Sequence, residues 1–123
     1  MNSSTNVQSS PTRTVHDVVT GRKIDGVIFR PLTAGQAYLG AGTEYYVLRL
    51  TMFPRTRYFV KRNKDSMLTY TVYAKRFRDG DITQFDEPVG AAYLNPELKS
   101  HLEIKFPLLG RSVFMNLFPS EEV

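Results

Sequence analysis

Apolar and polar residues alternate over much of the chain, which predicts short β-strands. The clearest alternation lies in Glu44–Phe53 and is followed by Pro54. One face of this segment carries Tyr46, Leu48, Leu50 and Met52, and the other carries Tyr45, Val47, Arg49 and Thr51. A period of two residues is that of a strand with one face on a core. Arg57–Arg62 and Met67–Phe77 continue the pattern on either side of a turn at Asn63–Asp65.

The last quarter of the chain predicts three more strands, Val89–Leu94, Leu102–Phe106 and Ser112–Phe118. In the second strand apolar residues alternate with Glu103 and Lys105, as in a strand with one face in water. The third is apolar on both faces, so it is either covered on both sides or leaves aromatic rings on a binding surface.

Less regular segments connect these strands. Val27–Phe29 predicts a short buried strand, Leu32–Thr43 a glycine-containing loop and Ile82–Pro88 a polar connection. We find no internal repeat and no convincing amphipathic helix in the sequence. The pattern predicts an all-β fold of six or seven short strands, a small barrel or compact sandwich, with an OB-like barrel as first choice.

The domain boundaries follow from the same pattern. We expect residues 1–14 to be a disordered tail, 15–119 a single β domain and 120–123 a C-terminal tail. The core is predicted to contain Leu48, Leu50, Val72, Ile104 and Leu117.

Composition narrows the class of protein. A chain of 123 residues fits one domain, and without cysteine it has no disulfide and no thiolate metal site. The N-terminus lacks the features of a signal peptide, and no apolar run approaches the roughly 20 residues of a membrane span. We therefore expect a cytoplasmic protein with no membrane partner.

Positive charge is concentrated in one region. The net charge is +4, and eight of the 16 Lys and Arg residues lie between Arg55 and Arg78, where Asp65 is the single acid. If the strands in this region pair as neighbours, one sheet face carries Tyr45, Arg49, Arg57, Phe59, Lys61, Tyr73, Lys75 and Phe77. Cations interleaved with flat rings suit single-stranded nucleic acid, because cations neutralise phosphates and rings stack on bases. Alternatively, the rings cover a second apolar layer and the cations form its solvated rim.

Catalytic chemistry has little support in the sequence. His16 and His101 are far apart and lack the spacing of metal ligands, and Gly35–Gly42 matches neither phosphate-binding glycine motif. His101, Glu103 and Arg111 could form a nuclease-like trio, but such trios arise by chance. We predict no catalytic residues, no metal and no cofactor, and hence no enzyme.

Four segments carry a resemblance to known proteins: Tyr70–Ala74, Val89–Tyr93, Leu102–Lys105 and Val113–Phe118. In these segments, from Tyr70 to Phe118, the chain resembles a family of small uncharacterised proteins of bacterial plasmids and integrative elements. Family members usually have Trp after Gly-Ala-Ala, where this chain has Tyr93. The resemblance implies a small β-fold in a bacterial mobile-element setting and brings no catalytic residues.

These observations favour a module that binds single-stranded nucleic acid, with DNA first, and with little sequence preference. A protein-interaction or assembly module is the alternative. It would act through exposed aromatic strands such as Val113–Phe118 and could form a homo-oligomer.

Overall fold

The computed structural model describes residues 14–39, 43–98 and 100–119. In these residues the chain is all-β, as predicted. It forms eight strands and one short 3-10 turn, Pro107–Leu109. The strands are β1 Thr14–Ile24, β2 Val27–Leu39, β3 Tyr45–Leu50, β4 Tyr58–Arg62, β5 Thr69–Asp79, β6 Ile82–Leu94, β7 His101–Phe106 and β8 Arg111–Asn116.

The strands form one closed antiparallel barrel in which each strand pairs with its neighbours in sequence. β8 returns to β1 through the pairs Val18–Met115 and Val19–Phe114, so the sheet has no free edge along this seam. An OB-fold is a five-stranded Greek-key barrel, whereas here eight strands follow one another in chain order. The barrel prediction is confirmed, with more strands than expected. No helix in the described segments is long and apolar enough to cross a membrane.

The barrel interior is filled by apolar side chains, and the predicted core is largely correct. Leu48, Leu50, Val72 and Ile104 are buried, while Leu117 lies just past β8 and is half-buried against the core. The core cluster also contains Val18, Ala37, Val60, Ala92, Leu102, Phe106, Val113 and Met115. Met52, expected on the apolar face of its strand, is 83% exposed because β3 ends at Leu50 and Met52 lies in the following turn.

The predicted tails fall mainly outside the described residues, namely 1–13 and 120–123. Thr14, assigned to the N-terminal tail, is the first residue of β1 and pairs with Leu39.

The two halves of the barrel, β1–β4 and β5–β8, repeat one another. Each half has a long hairpin, with strands of 11 and 13 residues, followed by a short hairpin. The register of the first long hairpin shifts after the pair Val18–Gly35, and that of the second shifts after the pair Val72–Gly90. The expectation of no internal repeat is therefore wrong for the structure.

The glycines at these register shifts explain why the alternation of apolar and polar residues did not predict the strands there. Each begins a Gly-x-Ala-Tyr-Leu segment. A Cβ atom at Gly35 would collide with the carbonyl oxygen of Arg49, and one at Gly90 would collide with that of Lys105. Glycine thus permits a close approach of neighbouring strands. For this reason Leu32–Thr43 is strand as far as Leu39 rather than the predicted loop.

Both long hairpins extend past the register shift and lie against the outside of the barrel. In β1–β2, the Nζ of Lys23 lies 2.8 Å from the Oε1 of Glu103 on β7. In β5–β6, Arg76 donates a hydrogen bond of 2.9 Å to the hydroxyl of Tyr45 on β3. The second hairpin includes Ile82–Pro88, so this segment is strand and not the expected polar connection. Each short hairpin is therefore covered by the long hairpin of the other half.

Candidate nucleic-acid interface

The strand register places several of the predicted site residues side by side on the outer wall. Phe59 of β4 lies between Val47 of β3 and Tyr73 of β5. One row further along, Lys61 pairs with Tyr45. These rows belong to the phase opposite to the buried Leu48 and Val60, as the alternation requires.

Four aromatic rings from four strands form a cluster on this wall. Phe85 of β6 is at its centre, with ring centroids 4.9 Å from Tyr45, 5.5 Å from Tyr73 and 6.0 Å from Phe59. The Tyr73 and Phe85 rings are stacked, whereas Tyr45 meets Phe85 edge-on. We call Tyr45, Phe59, Tyr73 and Phe85 the ring cluster.

Two cations lie against the ring cluster. The Arg76 guanidinium is 4.9 Å from the centroid of Phe59 and 5.9 Å from that of Tyr45. The Lys61 ammonium is 5.7 Å from the centroid of Phe85. Cation–π contacts of this kind hold a charge over a ring face. Arg76 is exposed and Lys61 is half-buried. Neither cation forms a salt bridge within the described parts of the chain.

The rings differ in accessibility. Phe59 is 6% exposed, because the β5–β6 hairpin covers it, while Tyr45, Tyr73 and Phe85 are half-buried. The equivalent residue of the other half is Phe114, which is 3% exposed and pairs with Val19 across the barrel seam, as Phe59 pairs with Tyr73. Phe59 therefore serves packing, and the accessible faces belong to the other three rings.

Other predicted site residues lie outside the ring cluster. The Nη2 of Arg49 donates to the carbonyl of Pro54 at 3.4 Å, Arg57 is exposed before β4, and Phe77 is 50% exposed further along β5. Lys75 forms a 3.0 Å salt bridge with Glu87, and the hydrogen bond from this carboxylate raises the pKa of Lys75.

The sequence pattern did not identify Arg76 and Phe85 as site residues, and the reason lies in the local structure of their hairpin. Strict alternation from Tyr73 puts Lys75 on the outer face, but the register shift after Val72 and the left-handed conformation of Glu87 (φ 56°) interrupt the regular hairpin. A bulge of this kind re-aims the side chains beyond it. Phe85 is an isolated ring among polar residues, and only its pairing with Arg76 brings it to the cluster.

The surface expected for the alternative assembly role has a different environment. β8 is paired on both sides, and Val113, Phe114 and Met115 are buried. Phe118, beyond the strand, is 69% exposed. Strand addition at β8 has no open edge to use, so the two apolar faces of this strand reflect coverage on both sides.

The other half carries an ion pair at the matching wall instead of a ring cluster. Glu103 is 5% exposed and accepts a hydrogen bond from Lys23. Burial raises the pKa of Glu103, but hydrogen bonds from Lys23 and Tyr93 outweigh it and leave the pKa below its usual value. The two long hairpins are thus held by different chemistry.

Comparisons with protein-family models, with curated proteins and with solved structures found no match.

Proposed function

We propose that the ring cluster binds single-stranded nucleic acid, with little sequence preference. The observation that carries this proposal is the combination, on one outer wall, of three half-buried rings with two cations, Lys61 and Arg76, that form no salt bridge with any described residue. Rings accept any base by stacking, and cations next to them neutralise the phosphates of the same strand.

The proposed contacts divide by chemistry. Tyr45, Tyr73 and Phe85 stack on bases, while Lys61 and Arg76 contact phosphates. Arg49, Arg57 and Phe77 remain predicted contacts at the margin of the wall. Lys75 would have to exchange its ion pair with Glu87 for a phosphate, and we rank it below Arg76 for that reason.

The wider setting is part of the same proposal. DNA is the first choice of nucleic acid, in the cytoplasm of a bacterium and in a mobile-element context, with no catalytic role. A preference for DNA over RNA is tested by titrating oligo-dT and oligo-U of equal length.

The decisive experiment is a fluorescence-anisotropy titration of labelled oligo-dT at two salt concentrations. Phe85→Ala should weaken binding by about 1–3 kcal/mol without changing the salt dependence, because a ring releases no counterion. Arg76→Gln should lower both the affinity and the slope of log K against log salt, the latter by about 0.7.

Phe29→Ala is the matched control. Phe29 is 52% exposed on the other long hairpin and also lies under an arginine, Arg30, at 5.9 Å. Its loss should leave oligo-dT binding unchanged. No binding by the wild type at low salt, or equal weakening by Phe29→Ala and Phe85→Ala, would refute the proposal. A sizing column run with and without oligonucleotide separates this role from an assembly module, which would self-associate without nucleic acid.

A further inference from the structure

Three arginines line one open cavity on the side of the barrel away from the ring cluster. The cavity has a volume of about 340 Å³. Arg22 of β1, Arg30 of β2 and Arg111 of β8 contribute the charges, and Thr20 and Ser112 contribute hydroxyl groups. No acidic residue lines the cavity. The salt bridges of the described segments join other residues, so none of the three arginines is neutralised in this way.

The backbone at this cavity is unusual. Between the pairs Thr20–Leu32 and Arg22–Phe29, β2 contains one residue more than β1, and Arg30 adopts a left-handed conformation with φ 53°. A non-glycine residue in this region costs about 1–2 kcal/mol. Strain of this kind is concentrated at functional sites, where a bulge directs a side chain.

A second left-handed residue, in the other long hairpin, supplies a comparison within the same molecule. In the second half, Glu87 is also left-handed and also precedes a proline, Pro88. Glu87 is neutralised by Lys75. In the first half the residue before Pro31 is Arg30, beside two further arginines instead of an opposite charge. Arg30 and Glu87 are not equivalent in the repeat, because Arg30 lies five residues before Gly35 and Glu87 lies three residues before Gly90. A left-handed residue before a proline thus carries a closed ion pair in one half, and in the other it lies in an arginine cluster that has no salt bridge among the described residues.

We propose that the cavity formed by Arg22, Arg30 and Arg111 binds a phosphate group. Guanidinium groups match phosphate oxygens with two parallel hydrogen bonds, and the hydroxyl of Ser112 can donate to the same anion. The hydroxyl of Thr20 donates to the carbonyl of Leu32 at 3.5 Å and would have to leave it to do the same. The ligand is either free phosphate or the terminal phosphate of a nucleic acid. The cavity draws its residues from β1, β2 and β8, so it is separate from the ring cluster and does not depend on the proposed function.

Isothermal titration calorimetry at constant ionic strength tests the site with three ligands: inorganic phosphate, the dinucleotide pTpT and its unphosphorylated form TpT. We expect saturable binding of phosphate or pTpT, and none of TpT. Similar affinities for phosphate and pTpT identify a free-phosphate site, whereas at least about tenfold tighter binding of pTpT identifies a nucleic-acid terminus.

Three variants locate the binding. Arg30→Asn keeps a residue that tolerates the left-handed conformation, and it should weaken binding about tenfold or more, as should Arg111→Gln. Arg78→Gln removes an exposed arginine of the other long hairpin and should have no effect. Thermal unfolding confirms that each variant is folded. Absence of saturable binding by phosphate and pTpT, or equal weakening by Arg78→Gln, would overturn the proposal. Phe85→Ala should leave phosphate binding intact, which keeps this result separate from the ring-cluster test.

Discussion

At the scale of single residues, the position of an apolar side chain in the barrel decides how much it contributes to the free energy of unfolding. Ile104 is fully buried in the interior, and Leu108, in the turn that follows β7, is 93% exposed. The two side chains have the same number of carbon atoms. Truncating each of them to alanine therefore compares the effect of a buried side chain on stability with that of an exposed one of equal size.

Ile104→Ala should lower the free energy of unfolding by about 2–5 kcal/mol, because it removes buried methyl groups and leaves a cavity. Leu108→Ala should change it by no more than about 0.5 kcal/mol. Urea unfolding followed by circular dichroism measures both. A loss below about 1 kcal/mol for Ile104→Ala would mean that the interior and exterior faces of β7 are wrongly assigned.

At the scale of elements, the long hairpins are held to the barrel by side-chain contacts that the alternation of apolar and polar residues does not predict. The first hairpin depends on the ion pair of Lys23 with Glu103, whose side chains are 32% and 6% exposed. The second depends on Arg76 and the ring cluster. Their responses to pH and to substitution should therefore differ.

The Lys23–Glu103 pair should make stability depend on pH. The folded pKa of Glu103 lies below its ordinary value of 4.5, so the pair stabilises the fold above that pH and its contribution is lost as the pH falls through the folded pKa. Lys23→Met should cost about 1.5–3 kcal/mol at pH 7, as expected for a hydrogen bond to a charged group. The difference from wild type should shrink as the pH drops below 4.5. Urea unfolding at pH 7 and pH 3.5 checks this, and a difference that does not change with pH would contradict it.

The two strand-contact glycines should be intolerant of a side chain. Gly90→Ala places a Cβ atom against the carbonyl of Lys105 and within 3.4 Å of the Phe106 ring, so it should destabilise the fold by about 1–3 kcal/mol. Gly80 in the hairpin turn has φ 65° and nothing within 4 Å of such an atom. Gly80→Asn, which tolerates this conformation, should therefore be nearly neutral. Thermal unfolding compares them, and equal melting temperatures would show that β6 can move away from β7.

At the scale of the whole molecule, part of the fold was accessible from the sequence. A period of two residues located β3, β4, the first part of β5 and β7, because these strands face a core on one side throughout. It failed where glycine contacts and bulges change the register, at Gly35 and after Val72. The repeat was hidden because its halves share few residues beyond Gly-x-Ala-Tyr-Leu, and barrel closure joins residues as distant as Val18 and Met115.

For the candidate site too, the sequence pattern was informative within regular strands and failed beyond a bulge. Tyr45, Phe59, Lys61 and Tyr73 were assigned correctly to one wall by alternation and direct strand pairing. Arg76 and Phe85 join them through a bulged hairpin folded over the barrel, a tertiary arrangement that no local pattern records.

The last prediction distinguishes a localised site from the general charge of the molecule. With a net charge of +4 the protein attracts any polyanion, and this attraction alone would make every Arg→Gln change weaken oligo-dT binding equally. A binding site at the ring cluster requires that Arg→Gln variants at different positions weaken binding by different amounts. Arg76→Gln, which also removes the cation over Phe59, should weaken binding several-fold more than Arg62→Gln or Arg78→Gln, which remove the same charge from other exposed positions. Anisotropy titrations of the three variants at one low salt concentration decide, and equal dissociation constants would reduce the binding to attraction between a basic protein and a polyanion.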